Sequence, residues 1–543
     1  MPKSRRHQLN KNNILILWHM LLLTRLVEKF PMASRRLRGF KRWMKSQLID
    51  CSDALYVVVT DDVEVKCPLF YVSVKALCDL HEGDVVATIP KDSCLTNKTS
   101  SACHLIADAG LDGFLALAVA IMYEISLGPA SRWFGYLQIM PHNEPIPLLW
   151  SVEEIDSLLA GTELHKVVKE DKLLVYEDWK ECIQPLLDSS SLELAPEFFG
   201  VDQYLAAKSL ISSRSFEIDD YHGSGMVPLA DLFNHKTDGE HVHFTLPSAQ
   251  SGSDSDDPDA ENDNNEDEKV EVSELVNPKE NSDTTSSSDN ETEVSSSPGN
   301  QSSVLEMIIV KDVKLGDEVF NTYGSLGNAA LLHRYGFTEP DNPYDIVNID
   351  LELVLNWCSS MFTNRHSRTR LSLWRKLNYS GCVSQNLEYF EVSFHGEPEL
   401  ELLILLYIML LPEEEYNKLD LMEFTADDFH KFISVNTMGS RKLGSGSESE
   451  LRISLLNAGV REALVNVANI RESFYGSRSL QKDLEVLKKC SSVLERKLYH
   501  SLVLRVSERN ILGKLRGYAL TGTRSLTAAK GASSRKRRRV KHQ

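Results

Sequence analysis

Closely spaced cysteines are missing from this chain. Its nine cysteines (Cys51, Cys67, Cys78, Cys94, Cys103, Cys182, Cys358, Cys382 and Cys490) show no C-x-x-C or C-x-C spacing. That excludes a thiolate zinc cluster and a disulfide-stapled scaffold, and reads as buried or free thiols of a reducing compartment. The amino-terminal apolar run, Ile14 to Leu23, is ten residues long, too short to span a bilayer, which takes roughly twenty. The chain shows no internal repeats. A cationic excess is also lacking, since the net charge is −19. Residues 248–303 hold sixteen Asp or Glu against two Lys, which leaves about −5 for everything else. So mild a balance argues neither for nor against a nucleic-acid surface.

What is present is a soluble, globular composition. With 543 residues, 42% hydrophobic and 25% charged, the chain is too long for one core and suggests two or three domains. Basic residues from Lys3 to Lys11 precede the apolar run, an order that resembles a signal peptide. No small-residue cleavage site follows closely, and Met32 offers an alternative start. Residues 1–31 are therefore expected to be a dispensable extension, the rival being a targeting peptide, within a basic and apolar leader over 1–49. The compact basic run Arg535 to Lys541, in a tail over 516–543, is a nuclear-import candidate, with cytosol or plastid as the alternative location and a merely solvated tail as the bland one.

Short β-rich runs at Ala54 to Thr60, Leu69 to Val74 and Asp84 to Ile89 are punctuated by turn residues such as Glu82-Gly83-Asp84, which predicts strands. Apolar residues then recur at helical spacing over 111–127, Val152 to Leu159 and Tyr204 to Ile211, so helices are inserted among strands, over about 100–210. Strands return at Val242 to Leu246 and Val304 to Val310. The acidic, Ser-rich stretch between them cannot bury enough surface to offset its ordering entropy and is expected to be a disordered loop over 248–303. Because closure entropy grows slowly with loop length, the two strands can pair as a hairpin across it. From about Asp345 the pattern becomes helical: Pro398 to Leu411 is densely apolar, Leu451 to Tyr475 is amphipathic, and Leu480 to Leu512 carries a recurring leucine face. The expected division is 50–345 and 346–515.

Two motifs carry the chemistry. Asp231-Leu232-Phe233-Asn234-His235 closes an apolar run before a polar loop, and Gly316 to Gly324 contains Phe320-Asn321-Thr322-Tyr323-Gly324. Leu332-His333-Arg334-Tyr335-Gly336-Phe337 follows, and Ser131-Arg132-Trp133-Phe134-Gly135-Tyr136, with Pro147-Leu148-Leu149-Trp150 after it, lies in the helical insert. In order and spacing, from about residue 50 to 510, these motifs resemble the Rubisco-methyltransferase-like class of SET-domain proteins. The resemblance implies an α+β fold: a β-rich SET domain interrupted by a helical insert, followed by an all-helical C-terminal substrate-binding domain. It also implies S-adenosylmethionine as cofactor and a protein partner bearing a target lysine, such as a ribosomal protein or transcription factor, with no metal and no requirement for nucleic acid or a membrane.

By the same resemblance the Asn-His and Asn-Thr-Tyr-Gly segments meet in a knot-like arrangement. Tyr323 is then the catalytic tyrosine, Asn234 and His235 contact the cofactor together with Asp231, and Tyr335 lies against the cofactor and lysine channel. Read from the residues alone, Tyr335 is equally a core aromatic. Arg214, in Ser212 to Phe216, is a two-pronged donor suited to the cofactor carboxylate, or else a surface ion pair with Glu217 or Asp219. Trp133 and Tyr136 are candidate substrate contacts, or packing residues of the insert. Methylating lysine requires the neutral amine, whose pKa is near 10.4 in water, so the site has to desolvate it. A histidine acceptor, or a catalytically silent adaptor, are the competing readings. The class usually carries a G-x-G turn before the first SET strand pair, and the corresponding stretch here, Val63 to Ala76, has no glycine, which puts close approach to the cofactor in doubt.

Overall fold

The computed structural model describes residues 31–61, 70–189, 194–245, 303–377, 389–420, 448–492 and 494–521. The apolar run at 14–23, the acidic stretch at 248–303 and the basic tail lie outside them. Its first helix, α1 (Pro31–Ser46), is cationic overall, yet Phe40, Trp43 and Met44 are buried in the core of the unit that follows. The extension expected over 1–49 therefore does not stand apart over this helix. Leu37, Phe40 and Met44 recur at i, i+3 and i+7, the stripe by which a basic helix can still dock.

Strands β1 (Asp50–Cys51), β2 (Leu55–Asp61), β3 (Phe70–Ala76) and β4 (Val85–Pro90) come next. β2 and β3 form an antiparallel hairpin with Leu55 opposite Ala76 and Asp61 opposite Phe70. The stretch lacking glycine is thus divided: 70–76 is strand, and 62–69 lies outside the described residues. After the insert come β5 (Ser215–Asp219) and β6 (Gly223–Met226), a second hairpin, and then β7 (Val242–Thr245) and β8 (Val304–Ile309). A four-stranded sheet has the order β1-β4-β8-β7. β7 and β8 pair antiparallel, with Val242 opposite Ile309 and Thr245 opposite Glu306, so the long acidic connection joins two neighbouring strands as the sequence predicts.

The insert contains α2 (Gly113–Ser126), α3 (Leu164–Asp178) and α4 (Val201–Arg214). α2 buries a run of small and aliphatic side chains from Ala116 to Met122 against α4 and the sheets. α5 (Asn328–Tyr335) closes this unit and ends on Gly336, whose φ of +74° is a left-handed C-cap that suits glycine.

The second unit is helical, with one addition that the all-helical expectation omitted. β9 (Val347–Asp350) pairs with β10 (Tyr389–Val392), burying Val347, Ile349, Phe390 and Val392. Its core is built on α6 (Leu400–Leu410), α7 (Ala458–Ser473) and α8 (Arg496–Thr521). Leu402 to Met409 are all buried, and each large aliphatic among them contributes roughly 1.5–3 kcal/mol by leaving water. The amphipathic stretch expected over 451–475 is interrupted at Asn457, whose side chain accepts from the Val460 amide and starts α7 afresh.

Buried ions join the two units. Arg471 on α7 donates to Gly161 O at 2.7 Å, Glu163 Oε1 at 2.8 Å and Asn348 O at 3.1 Å. Glu508 on α8 accepts from the Glu163 amide and from the Tyr475 hydroxyl. Burial, reinforced by Glu163, pushes the Glu508 carboxyl well above the usual carboxylate range.

Since Thr245 and Glu306 already face each other, replacing residues 248–302 with a short flexible linker is expected to leave the melting temperature within about 2 °C of the parent. A loss of more than about 5 °C by calorimetry would show that the segment contributes to the fold.

Candidate functional site

The two motifs separated by the acidic segment meet backbone to backbone. His235 and Asn321 form a parallel bridge, with the Asn321 amide donating to Asn234 O at 2.9 Å. The Asn234 side-chain amide donates to Val72 O on β3 at 3.1 Å and to Glu318 Oε1 at 2.7 Å, bracketing the crossing from a third side. Asn234 therefore serves the architecture with its amide hydrogens, and those hydrogens are not turned towards an open cleft.

His235 Nδ1 accepts from the Tyr323 amide at 2.9 Å, and Nε2 lies 3.2 Å from Thr237 Oγ1. Because Nδ1 accepts, the ring proton is on Nε2. Burial lowers the pKa of His235 and keeps the imidazole neutral. Its ring lies 5.0 Å from that of Tyr323, centroid to centroid, and Tyr323 stacks on Tyr335 at 4.5 Å. Phe337 closes the group at 6.1 Å from His235 and 6.3 Å from Tyr335.

The Tyr323 hydroxyl donates to Phe233 O at 3.1 Å, so its lone pairs remain available to accept. Burial raises the pKa of Tyr323, and Tyr335, Glu144 and Asp231 raise it further while Arg214 opposes them, so the group is a neutral phenol at physiological pH. Tyr335 is raised as well, again by burial.

Arg214, the last residue of α4, reaches this group from the insert. Its Nε donates to Glu144 Oε1 at 2.6 Å and its Nη1 to Asp231 O at 2.9 Å, with Asp231 Oδ2 at 3.5 Å from Nη1. The surface pair with Glu217 or Asp219 is not formed, and Asp219 instead binds Lys91 and His222. Among the described residues no partner occupies Nη2 of Arg214, and the side chain is 17% exposed. A buried guanidinium with one free prong can take a carboxylate from a ligand, so the donor set fits the amino-acid end of S-adenosylmethionine. Burial works against the charge of Arg214, and Glu144 and Asp231 more than offset it, raising its pKa.

Three expected site residues are placed elsewhere. The Asp231 side chain is fully buried and held by Arg214 and by the Tyr136 hydroxyl at 3.0 Å, so it faces no cleft. Trp133 and Tyr136 are also fully buried and touch no substrate surface. They pack on α1, where the Trp43 ring lies 6.0 Å from Trp133 and 5.9 Å from Tyr136 and Trp43 Nε1 donates to Arg132 O. Ser131, the first residue of that motif, donates to the buried carboxylate of Glu124, which also accepts from Ser100 and the Ser101 amide. Glu144 is the member that the sequence reading missed. It sits between two prolines, Pro141 and Pro145, and no motif marked it.

Burial pushes the Asp231 carboxyl from 3.8 up to about 6, against the pull of Arg214. An acid with a raised folded pKa binds its proton more tightly in the folded chain, so its contribution to stability is fullest below the unfolded value and is lost as pH rises through the folded one. The stability deficit of Asp231→Asn, measured by urea melts, is therefore expected to narrow as pH rises from 3.8 to about 6. A deficit that stays level or widens over that window contradicts the assignment.

No protein-family model matches the chain. It is 30% identical over 330 residues to ribosomal lysine N-methyltransferase 3 of Saccharomyces cerevisiae, a match covering 52% of this chain and 59% of the yeast protein. It is 22% identical over 361 residues to N-lysine methyltransferase setd6 of Xenopus laevis, covering 62% and 67%. The chain thus spans less than two thirds of the yeast relative. In three dimensions it is similar to the SET domain of LSMT bound to lysine and AdoHcy, with a TM-score of 0.56 and 17% identity over 90% of this chain and 91% of that one. Rubisco LSMT bound to AdoMet superposes with a TM-score of 0.54 at 17% identity over 90% and 92%. These superpositions show the fold: the chain is built like the SET domain of LSMT.

Proposed function

We propose that this protein transfers the methyl group of S-adenosylmethionine to the side-chain amine of a lysine in a non-histone protein. The observation that carries the reading is the Tyr323 hydroxyl, fixed at Phe233 O within a wall of His235, Tyr335 and Phe337. When bound, S-adenosylmethionine supplies an electrophilic methyl on a sulfonium. The chain supplies orientation and desolvation. A lysine loses its proton at about pH 10.4 in water, and an aromatic channel that excludes water lowers that cost.

Tyr323, neutral and already spending its proton on Phe233 O, can accept from the incoming amine and align its lone pair. The neutral His235 holds the Tyr323 amide and so fixes the ring's approach. The free prong of Arg214 holds the cofactor carboxylate, and Tyr335 packs against the donor. The similarity to a yeast protein named as a ribosomal lysine N-methyltransferase supports a ribosomal protein as substrate. The basic run at Arg535 to Lys541 supports a nuclear location.

Tyr323→Phe deletes one hydroxyl and one hydrogen bond, worth about 1 kcal/mol of stability. Transfer of labelled methyl to protein lysine is expected to fall by about 100-fold or more. S-adenosylhomocysteine should bind the variant within about threefold of the parent, because no bond to the cofactor has been removed. Undiminished turnover in this variant would exclude the phenol from the reaction.

A further inference from the structure

The carboxylate of Glu144 has no role in the resemblance and none in the motifs, yet it makes a short contact with Arg214, whose charge acts on Tyr323. Its Oε1 accepts from Arg214 Nε at 2.6 Å, with 12% of the Glu144 side chain and 17% of the Arg214 side chain exposed. Glu144 is itself held, since its amide donates to Ser209 Oγ at 3.0 Å, and Ser209 Oγ in turn donates to Ala206 O within α4. Helix α4 therefore carries both the guanidinium and the clamp on the loop that restrains it. The same loop lies against the end of α5, where a side chain on Gly336 would come within 2.9 Å of Pro145 O.

We infer that Glu144 is a positioning residue for the methyl donor: by pinning Nε of Arg214 it turns the free Nη2 towards the carboxylate of the cofactor's amino-acid end. This rests on the methyl-transfer reading above. A guanidinium has five donors in one plane, so fixing one edge and Nη1 leaves the orientation of the remaining prong determined. Nη1 is fixed by Asp231 O, and Glu144 supplies the second constraint. Without it the side chain keeps its charge but gains freedom to rotate about its last bonds, and a ligand carboxylate has to pay for ordering it.

The opposite sign is also physically coherent. A carboxylate beside Arg214 repels a second one, so Glu144 could instead compete with the cofactor. The Nε contact is one-pronged and leaves Nη2 clear, which favours positioning.

The test measures binding by calorimetry of two probes to the full chain and to Glu144→Ala, which removes the acceptor that glutamine would keep. S-adenosylhomocysteine carries the amino-acid carboxylate, and 5′-methylthioadenosine lacks it. Positioning predicts that the variant loses about tenfold or more in affinity for S-adenosylhomocysteine while 5′-methylthioadenosine binds within about twofold. Equal affinity for S-adenosylhomocysteine overturns the inference, and tighter binding shows competition instead. A matching loss for both probes assigns Glu144 a purely structural role and overturns it as well. Failure of the unaltered chain to bind S-adenosylhomocysteine would instead sink the methyl-transfer reading, because the second probe then has nothing to be compared with.

Discussion

The parallel bridge between His235 and Asn321 is the constraint on which the site depends. It brings together segments that lie on either side of a long acidic connection, and it does so with backbone bonds whose geometry leaves little slack. Once the bridge forms, the Tyr323 amide falls on His235 Nδ1 and the Tyr323 hydroxyl on Phe233 O, so a single ring is fixed at both its root and its tip. Buried polar groups of this kind are costly unless paired. Here the amide and the hydroxyl of Tyr323 both find their partners on the opposite segment, so correct crossing and their satisfaction are the same event.

A second layer of order comes from the insert. Arg214, Glu144, Asp231 and Tyr136 form a buried set in which one cation is shared by two carboxylates and a phenol closes the far side. Such a set adds little net stability, since desolvation consumes most of the attraction. What it adds is direction. Arg214 cannot lie elsewhere without stranding Asp231, whose Oδ1 already lacks a partner among the described residues. The raised carboxyl of Asp231 reflects the same economy of partners.

Much of the SET unit was legible in the residues. Short β-rich runs bounded by turn residues gave β2, β3 and β4 to within a residue or two, and the polarity of 248–303 marked β7 and β8 as neighbours across a long connection. The order of Asn234, His235, Tyr323 and Tyr335 marked the aromatic wall. Four things were not legible. α1 reads as a basic leader because its six Lys and Arg outweigh a narrow apolar stripe. Trp133 and Tyr136 carry polar handles that suggest contact with a substrate, and only the arrival of Trp43 shows that they are buried. Glu144 lies in a loop, where neither periodicity nor spacing distinguishes a carboxylate with a buried partner from one in water. Likewise β9 and β10 are separated by two helices, and four-residue strands within a helical pattern have no periodicity to announce them.

The close approach of Pro145 to the Gly336 cap limits what residue can stand there. A Cβ at this left-handed cap would meet Pro145 O at 2.9 Å and Pro145 C at 3.0 Å, both main-chain atoms that cannot swing aside as a side chain does, so space and backbone conformation together call for glycine here. The residue next to this cap, Tyr335, carries the ring stacked 4.5 Å from that of Tyr323, so a side chain introduced at 336 would disturb the aromatic wall as well as the loop.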